Sequence, residues 1–206
     1  AGDQETVYKR MSIMAPLMDG DGYTRDSGSH GQRGYTGSEY RFNFIGATTP
    51  LPPRAWQAMG TVGNRLVFHE KRGGTDTGTV VDDVISGSSY GEQVGRCREI
   101  VGQYLRQLWD ETGGVGSVSF PDAPDDDVRT VLEDLTRLVK FARAPIVEGR
   151  PQREGAHRIA QTLYSIAQGH SLLNDRRFLK IDDMSVCGRI ALSTMPSKRR
   201  PLIRAL

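Results

Sequence analysis

From about residue 91 onward, the chain repeats apolar residues at helical spacing in five successive segments: roughly 91–111, 125–144, 153–173, 182–194 and 197–206. Residues three and four apart share one face of a helix, so each segment specifies a helix with a face to bury. In the third, Ile159, Leu163, Ile166 and Ala167 fall on one side. The fourth opens at Ile181-Asp182-Asp183-Met184, where Asp182 is placed to cap the unsatisfied N–H groups of the first turn. This half of the chain reads as all-helical.

The first half has a different character. Val7, Met11, Met14 and Met18 mark one face of a helix over 7–19, interrupted by Pro16. Residues 20–38 are rich in glycine and polar side chains and predict a loop or loose hairpin. Phe42–Ala47 predicts a short buried strand ending in a turn at Thr49-Pro50, and 51–63 a short helix opened by prolines. Residues 64–71 predict a second strand, and 72–90 a mobile Gly/Ser/Thr/Asp-rich stretch with an apolar island at Val84-Ile85. The break near residue 85 divides the chain into a strand-bearing part, 1–85, and a helical part, 86–206.

At 37% hydrophobic and 25% charged, the composition supports a packed core and argues against disorder. A net charge of +2 is too small to imply nucleic-acid binding by itself. Arginine far outnumbers lysine, which coding bias explains more simply than function does. Cys97 and Cys187 lie far apart in partly apolar helical patterns, as expected of packed, reduced thiols in a cytoplasmic protein. No apolar run is long enough to span a membrane. The chain opens without an initiator Met and without a signal-peptide pattern.

The sequence contains no Gly-x-x-x-x-Gly-Lys-Ser/Thr loop and no Gly-Lys pair at all. It therefore lacks the loop whose backbone N–H groups and lysine cradle phosphates. No apolar strand ending in paired carboxylates precedes residue 40, so the usual Mg²⁺-holding acid is missing too. Asp19-Gly20-Asp21-Gly22 suggests a calcium loop, but Tyr23 and His30 occupy positions that need oxygen ligands, so it reads as a polar turn. His30, His69, His157 and His170 show no zinc spacing, and no metal site is expected. Gly87-Ser88-Ser89-Tyr90-Gly91 matches a nucleophile-elbow pattern but lacks a convincing strand before it, and reads as a linker. The basic run Lys198, Arg199, Arg200 and Arg204 suits either nucleic-acid backbone or a solvated helix end.

Three segments together resemble the AAA+ ATPases, nearest the branch of the minichromosome-maintenance helicases and magnesium-chelatase-like proteins. The first is Ala47-Thr48-Thr49-Pro50, similar to the strand-ending motif whose polar residue positions the attacking water. The resemblance puts Thr49 in that role, with Thr48 as the near alternative on the ATP-facing rim. The second is Asn64-Arg65-Leu66, where Arg65 matches an arginine that acts as a finger on ATP held by a neighbouring subunit; Asn64 and Leu66 depart from the commonest form. The third runs from Arg158 through Ser171-Leu172-Leu173 and Asp175-Arg176 to Ile181-Asp182-Asp183. There Arg158 matches the lid arginine that touches the γ-phosphate, and Ile181 departs from the family's cap. Residues 18–37 also resemble bacterial ATPases linked to primases and mobile elements.

The resemblance covers about residues 7–206 and implies a partial α/β P-loop core followed by a helical lid. It implies a fragment of an ATP hydrolase, with ATP and Mg²⁺ in the intact parent, homo-oligomeric assembly and an association with DNA. Alone, such a fragment is expected neither to turn over ATP nor to hold it tightly. The competing expectation is a helical adaptor or DNA-binding module with no nucleotide role, motivated by the basic C-terminal run and the missing phosphate loop.

Overall fold

The computed structural model describes residues 4–26, 28, 31–36, 45–46, 66–70, 76–87, 90–153 and 155–204. The first helix, α1 (Gln4–Asp19), runs through Pro16 and stops three residues later. Its end is a Schellman turn: the Asp21 N–H donates to the Pro16 carbonyl (2.9 Å), the Gly20 N–H to the Leu17 carbonyl (3.2 Å), and Gly20 has φ 79°. The glycine-rich stretch then forms an antiparallel hairpin, β1 (Gly22–Asp26) with β2 (Gln32–Thr36), pairing Gly22 with Thr36 and Asp26 with Gln32.

The expected mobile stretch before residue 90 contains a helix, α2 (Thr77–Ile85). Asp76 caps it by accepting from the Gly78 N–H (3.3 Å), and Val80, Val81, Val84 and Ile85 recur at helical spacing; composition masked that pattern. Because α2 is a helix, the Gly87–Gly91 segment has no strand before it and cannot form a nucleophile elbow.

The helical half follows its sequence pattern closely: α3 (Tyr90–Thr112), α4 (Asp126–Arg143), α5 (Ala156–Leu172), α6 (Met184–Ser193) and α7 (Arg200–Arg204). A small hairpin, β3 (Ile146–Val147) with β4 (Arg150–Pro151), joins α4 to α5. Helices α4, α5 and α6 pack on one another around Val128, Val139, Ile159, Leu163, Cys187 and Met195. In α5 the buried residues Ile159, Leu163, Ala167 and Ser171 lie four apart, one stripe along the helix. In α4, Asp126 and Asp127 open the helix and Lys140 and Arg143 close it, which suits the helix dipole at both ends.

This helical unit matches the expected helical part. Among the described residues the strands form only two antiparallel hairpins, and no parallel sheet of a P-loop core is present. Of the expected strand 42–47 only Ile45 and Gly46 are described, outside any strand. The expected strand 64–71 is corrected over Leu66–Glu70, which has no regular secondary structure. Side chains of the helical unit take the backbone bonds that a neighbouring strand would supply. Among the described residues no helix is long and apolar enough to cross a membrane.

Candidate functional site

Arg158 lies in the first turn of α5. It lines a cleft with Val67, Arg143, Thr162, Ile190 and Thr194, a space for about one water molecule. The Arg158 side chain is 47% exposed, and its Nη2 lies 3.5 Å from an Asp19 carboxylate oxygen at the end of α1. That long contact brings the polar turn after α1 beside the opening of α5.

Val67 lines the cleft, and the segment that carries it, Leu66–Glu70, is clasped by the helical unit at three points. Thr194 Oγ1 accepts from the Phe68 N–H (2.9 Å) and donates to the Phe68 carbonyl (3.4 Å). Arg143, only 6% exposed, donates from Nη2 to the Leu66 carbonyl (3.4 Å). Arg200 pairs with the Glu70 carboxylate. Thr194 thus acts as a one-residue substitute for a pairing strand.

Of the residues singled out from sequence, Arg158 is described and stands at the cleft. Thr48, Thr49 and Arg65 lie outside the described residues, although Leu66, which follows Arg65, is held by Arg143. His157, next to Arg158, is exposed. Among the described residues no cluster of His, Cys, Asp and Glu could hold a metal ion.

Two residues of the basic C-terminal run are engaged in structure. Arg199 Nη1 donates to the carbonyls of Ala142 (2.7 Å) and Ala144 (2.9 Å), satisfying the end of α4. Arg200 donates to the carbonyls of Met195 (2.9 Å) and Ser193 (2.8 Å), doing the same for α6. Lys198 remains exposed.

A second polar centre was missed from sequence. Asp183, fully buried, accepts from Arg176 through both carboxylate oxygens, from the Lys180 N–H (2.8 Å), and contacts His170 Nδ1 (2.7 Å). Burial pushes the Asp183 carboxyl up, but the Arg176 and Lys180 hydrogen bonds, with His170, outweigh it and hold it at about 2. The same pairing raises Arg176. Ser171 Oγ, also buried, donates toward the carbonyls of Phe178 (2.7 Å) and Arg176 (3.1 Å), closing the loop. The expected cap at Asp182 is therefore corrected: the buried neighbour Asp183 takes the Lys180 N–H while Asp182 stays exposed. The thiols divide as well, with Cys187 buried as expected and Cys97 exposed, contrary to expectation.

Comparison with family models, with curated proteins and with solved structures returns no match.

Proposed function

We propose that this chain is the sensor and lid portion of an AAA+-type ATPase. Residues 1–85 would supply the later part of the α/β core, and 86–206 the helical lid. The observation that supports this most is the placement of Arg158: the opening turn of a lid helix, a half-exposed guanidinium, and a carboxylate of Asp19 at 3.5 Å. In this reading Asp19 stands where a γ-phosphate oxygen would bind, and a long contact of this kind is open to competition by an anion. Thr49, or Thr48 beside it, would position the attacking water. Arg65 would reach ATP in a neighbouring copy, where an arginine neutralises charge developing on the transferring phosphoryl group. ATP and Mg²⁺, a homo-oligomer and an association with DNA belong to the intact parent on this reading. The adaptor reading keeps the missing phosphate loop as its motive, while two arginines of its basic run, Arg199 and Arg200, donate to backbone carbonyls.

The purified chain is expected to release no phosphate from ATP and to bind nucleotide very weakly. Robust turnover by this chain overturns the proposal. The coding sequence upstream of Ala1 is expected to contain a Gly-Lys-Ser/Thr loop within roughly a hundred residues, the span of one α/β domain; its absence also overturns it. In a parent carrying that loop, Arg65→Ala abolishes turnover and spares nucleotide binding. Wild-type turnover in that variant removes Arg65 from the site.

A further inference from the structure

The net charge of +2 conceals an uneven distribution. Between residues 137 and 158 stand six cations, Arg137, Lys140, Arg143, Arg150, Arg153 and Arg158, against two acids, Glu148 and Glu154, so the rest of the chain is net negative. The fold gathers this stretch at one end of the helical unit: the last turns of α4, the β3–β4 hairpin and the first turn of α5. Arg143 and Arg158 line a common cleft. The bonds from Arg199 to the carbonyls of Ala142 and Ala144 bring its exposed neighbour Lys198 to the same end.

Arg150 and Arg153 are exposed, and neither meets an acid among the described residues. Arg137 has an exposed contact of 3.4 Å with Asp134, of a kind that contributes little. An aromatic ring stands among these charges. Phe141, in the last turn of α4, is 49% exposed, and the Arg153 guanidinium lies over its ring, 4.6 Å from the centre. Arg137, four residues before Phe141, shares its face of the helix.

We infer that this end of the helical unit is a binding surface for single-stranded nucleic acid. Arg137, Arg150 and Lys140 meet phosphates, and a base stacks on the Phe141–Arg153 pair, since aromatic rings and guanidinium planes both serve as stacking partners for bases. The inference is independent of the nucleotide reading: a chain that binds no ATP can still hold a strand. A duplex keeps its base faces covered by neighbouring base pairs, which leaves the ring without a role. A membrane surface fits less well. The pairing of Val147 with Arg150 makes Glu148 (φ 51°) and Gly149 (φ 75°) the tip of the hairpin, an acid and a glycine where insertion calls for apolar side chains.

The full chain is expected to bind a fluorescent oligothymidylate at low salt, with log affinity falling linearly with log salt concentration. Arg137→Gln and Arg150→Gln are each expected to lower that slope by about 0.7, the value for one phosphate contact on a single strand. Phe141→Ala is expected to weaken binding by about tenfold with the slope unchanged, as for one lost stack. Phe141→Leu, which keeps apolar bulk without a ring, should lose as much. Arg129→Gln removes an exposed charge about 18 Å away toward the start of α4 and should leave binding unchanged. All of these variants should retain the wild-type thermal transition. Absence of binding at low salt overturns the proposal. Equal affinity for an abasic strand or a duplex overturns the stacking role. Equal affinity for polyglutamate or for phosphatidylserine vesicles overturns the choice of partner. A loss with Arg129→Gln as large as that with Arg150→Gln overturns the assignment to this end.

Discussion

The Arg176 guanidinium holds Asp183 through two contacts of 3.0 and 2.8 Å, fixing the loop after α5 to the turn that opens α6. Both residues fall in motif segments, but their meeting is a property of the fold. Arg176→Met leaves a buried carboxylate without its cation and is expected to cost about 3–5 kcal/mol in urea unfolding. The double variant Arg176→Met/Asp183→Leu removes the stranded charge and is expected to be more stable than the Arg176→Met single variant. Additive losses would show that the two residues act separately.

The same carboxylate sets an acid limit. Asp183 sits at about 2 in the folded chain against 3.8 in its ordinary state. Because the folded value is the lower one, its stabilisation is complete above about pH 4 and is lost as pH falls toward 2. The loss expected across that window is roughly 2 kcal/mol. Urea midpoints measured from pH 5 to pH 2 should fall for the wild type. Asp183→Asn, weaker throughout, should give a flatter profile.

Thr194 offers a local test of the clasp on Leu66–Glu70. Thr194→Val keeps shape and removes both bonds to Phe68. Amide exchange at Phe68 is expected to accelerate by about tenfold, equivalent to ~1.4 kcal/mol, with the α4–α6 amides unchanged. Thr194→Ser, which retains the hydroxyl, should exchange more slowly at Phe68 than Thr194→Val.

The thiols should separate kinetically. Burial pushes the Cys187 thiol up to about 11, and its Sγ donates to the Leu163 carbonyl (3.3 Å), whereas Cys97 is exposed. In dilute native protein one thiol is expected to react readily with a disulfide reagent, and the second only after unfolding. Rapid reaction of both would place Cys187 outside the core.

The helices from α3 to α6 were legible because their apolar residues recur at the helical period, and packing then selects the faces. The helix α2 was not, since Gly78, the threonines and Asp82 give its segment the composition of a loop. The choice between Asp182 and Asp183 cannot be made from two adjacent acids; burial decides it, and burial depends on residues 170 and 176 arriving at the same place. Arg199 and Arg200 read as free charge because a sequence does not reveal which carbonyl groups lie within reach. Arg158 was singled out through the resemblance, by its spacing from Ser171-Leu172-Leu173 and Asp175-Arg176, whereas the clasp by Thr194 joins residues 126 apart and left no local signal.

The clasp on Leu66–Glu70 also bears on how this protein could be divided. A chain cut at residue 86 would keep every helix of the α4–α6 bundle and lose the segment that lies along Thr194 and Arg143. Its helical unit is discontinuous in sequence, so a graft of residues 86–206 onto another protein would carry an open seam along one side, with two backbone-seeking side chains facing water.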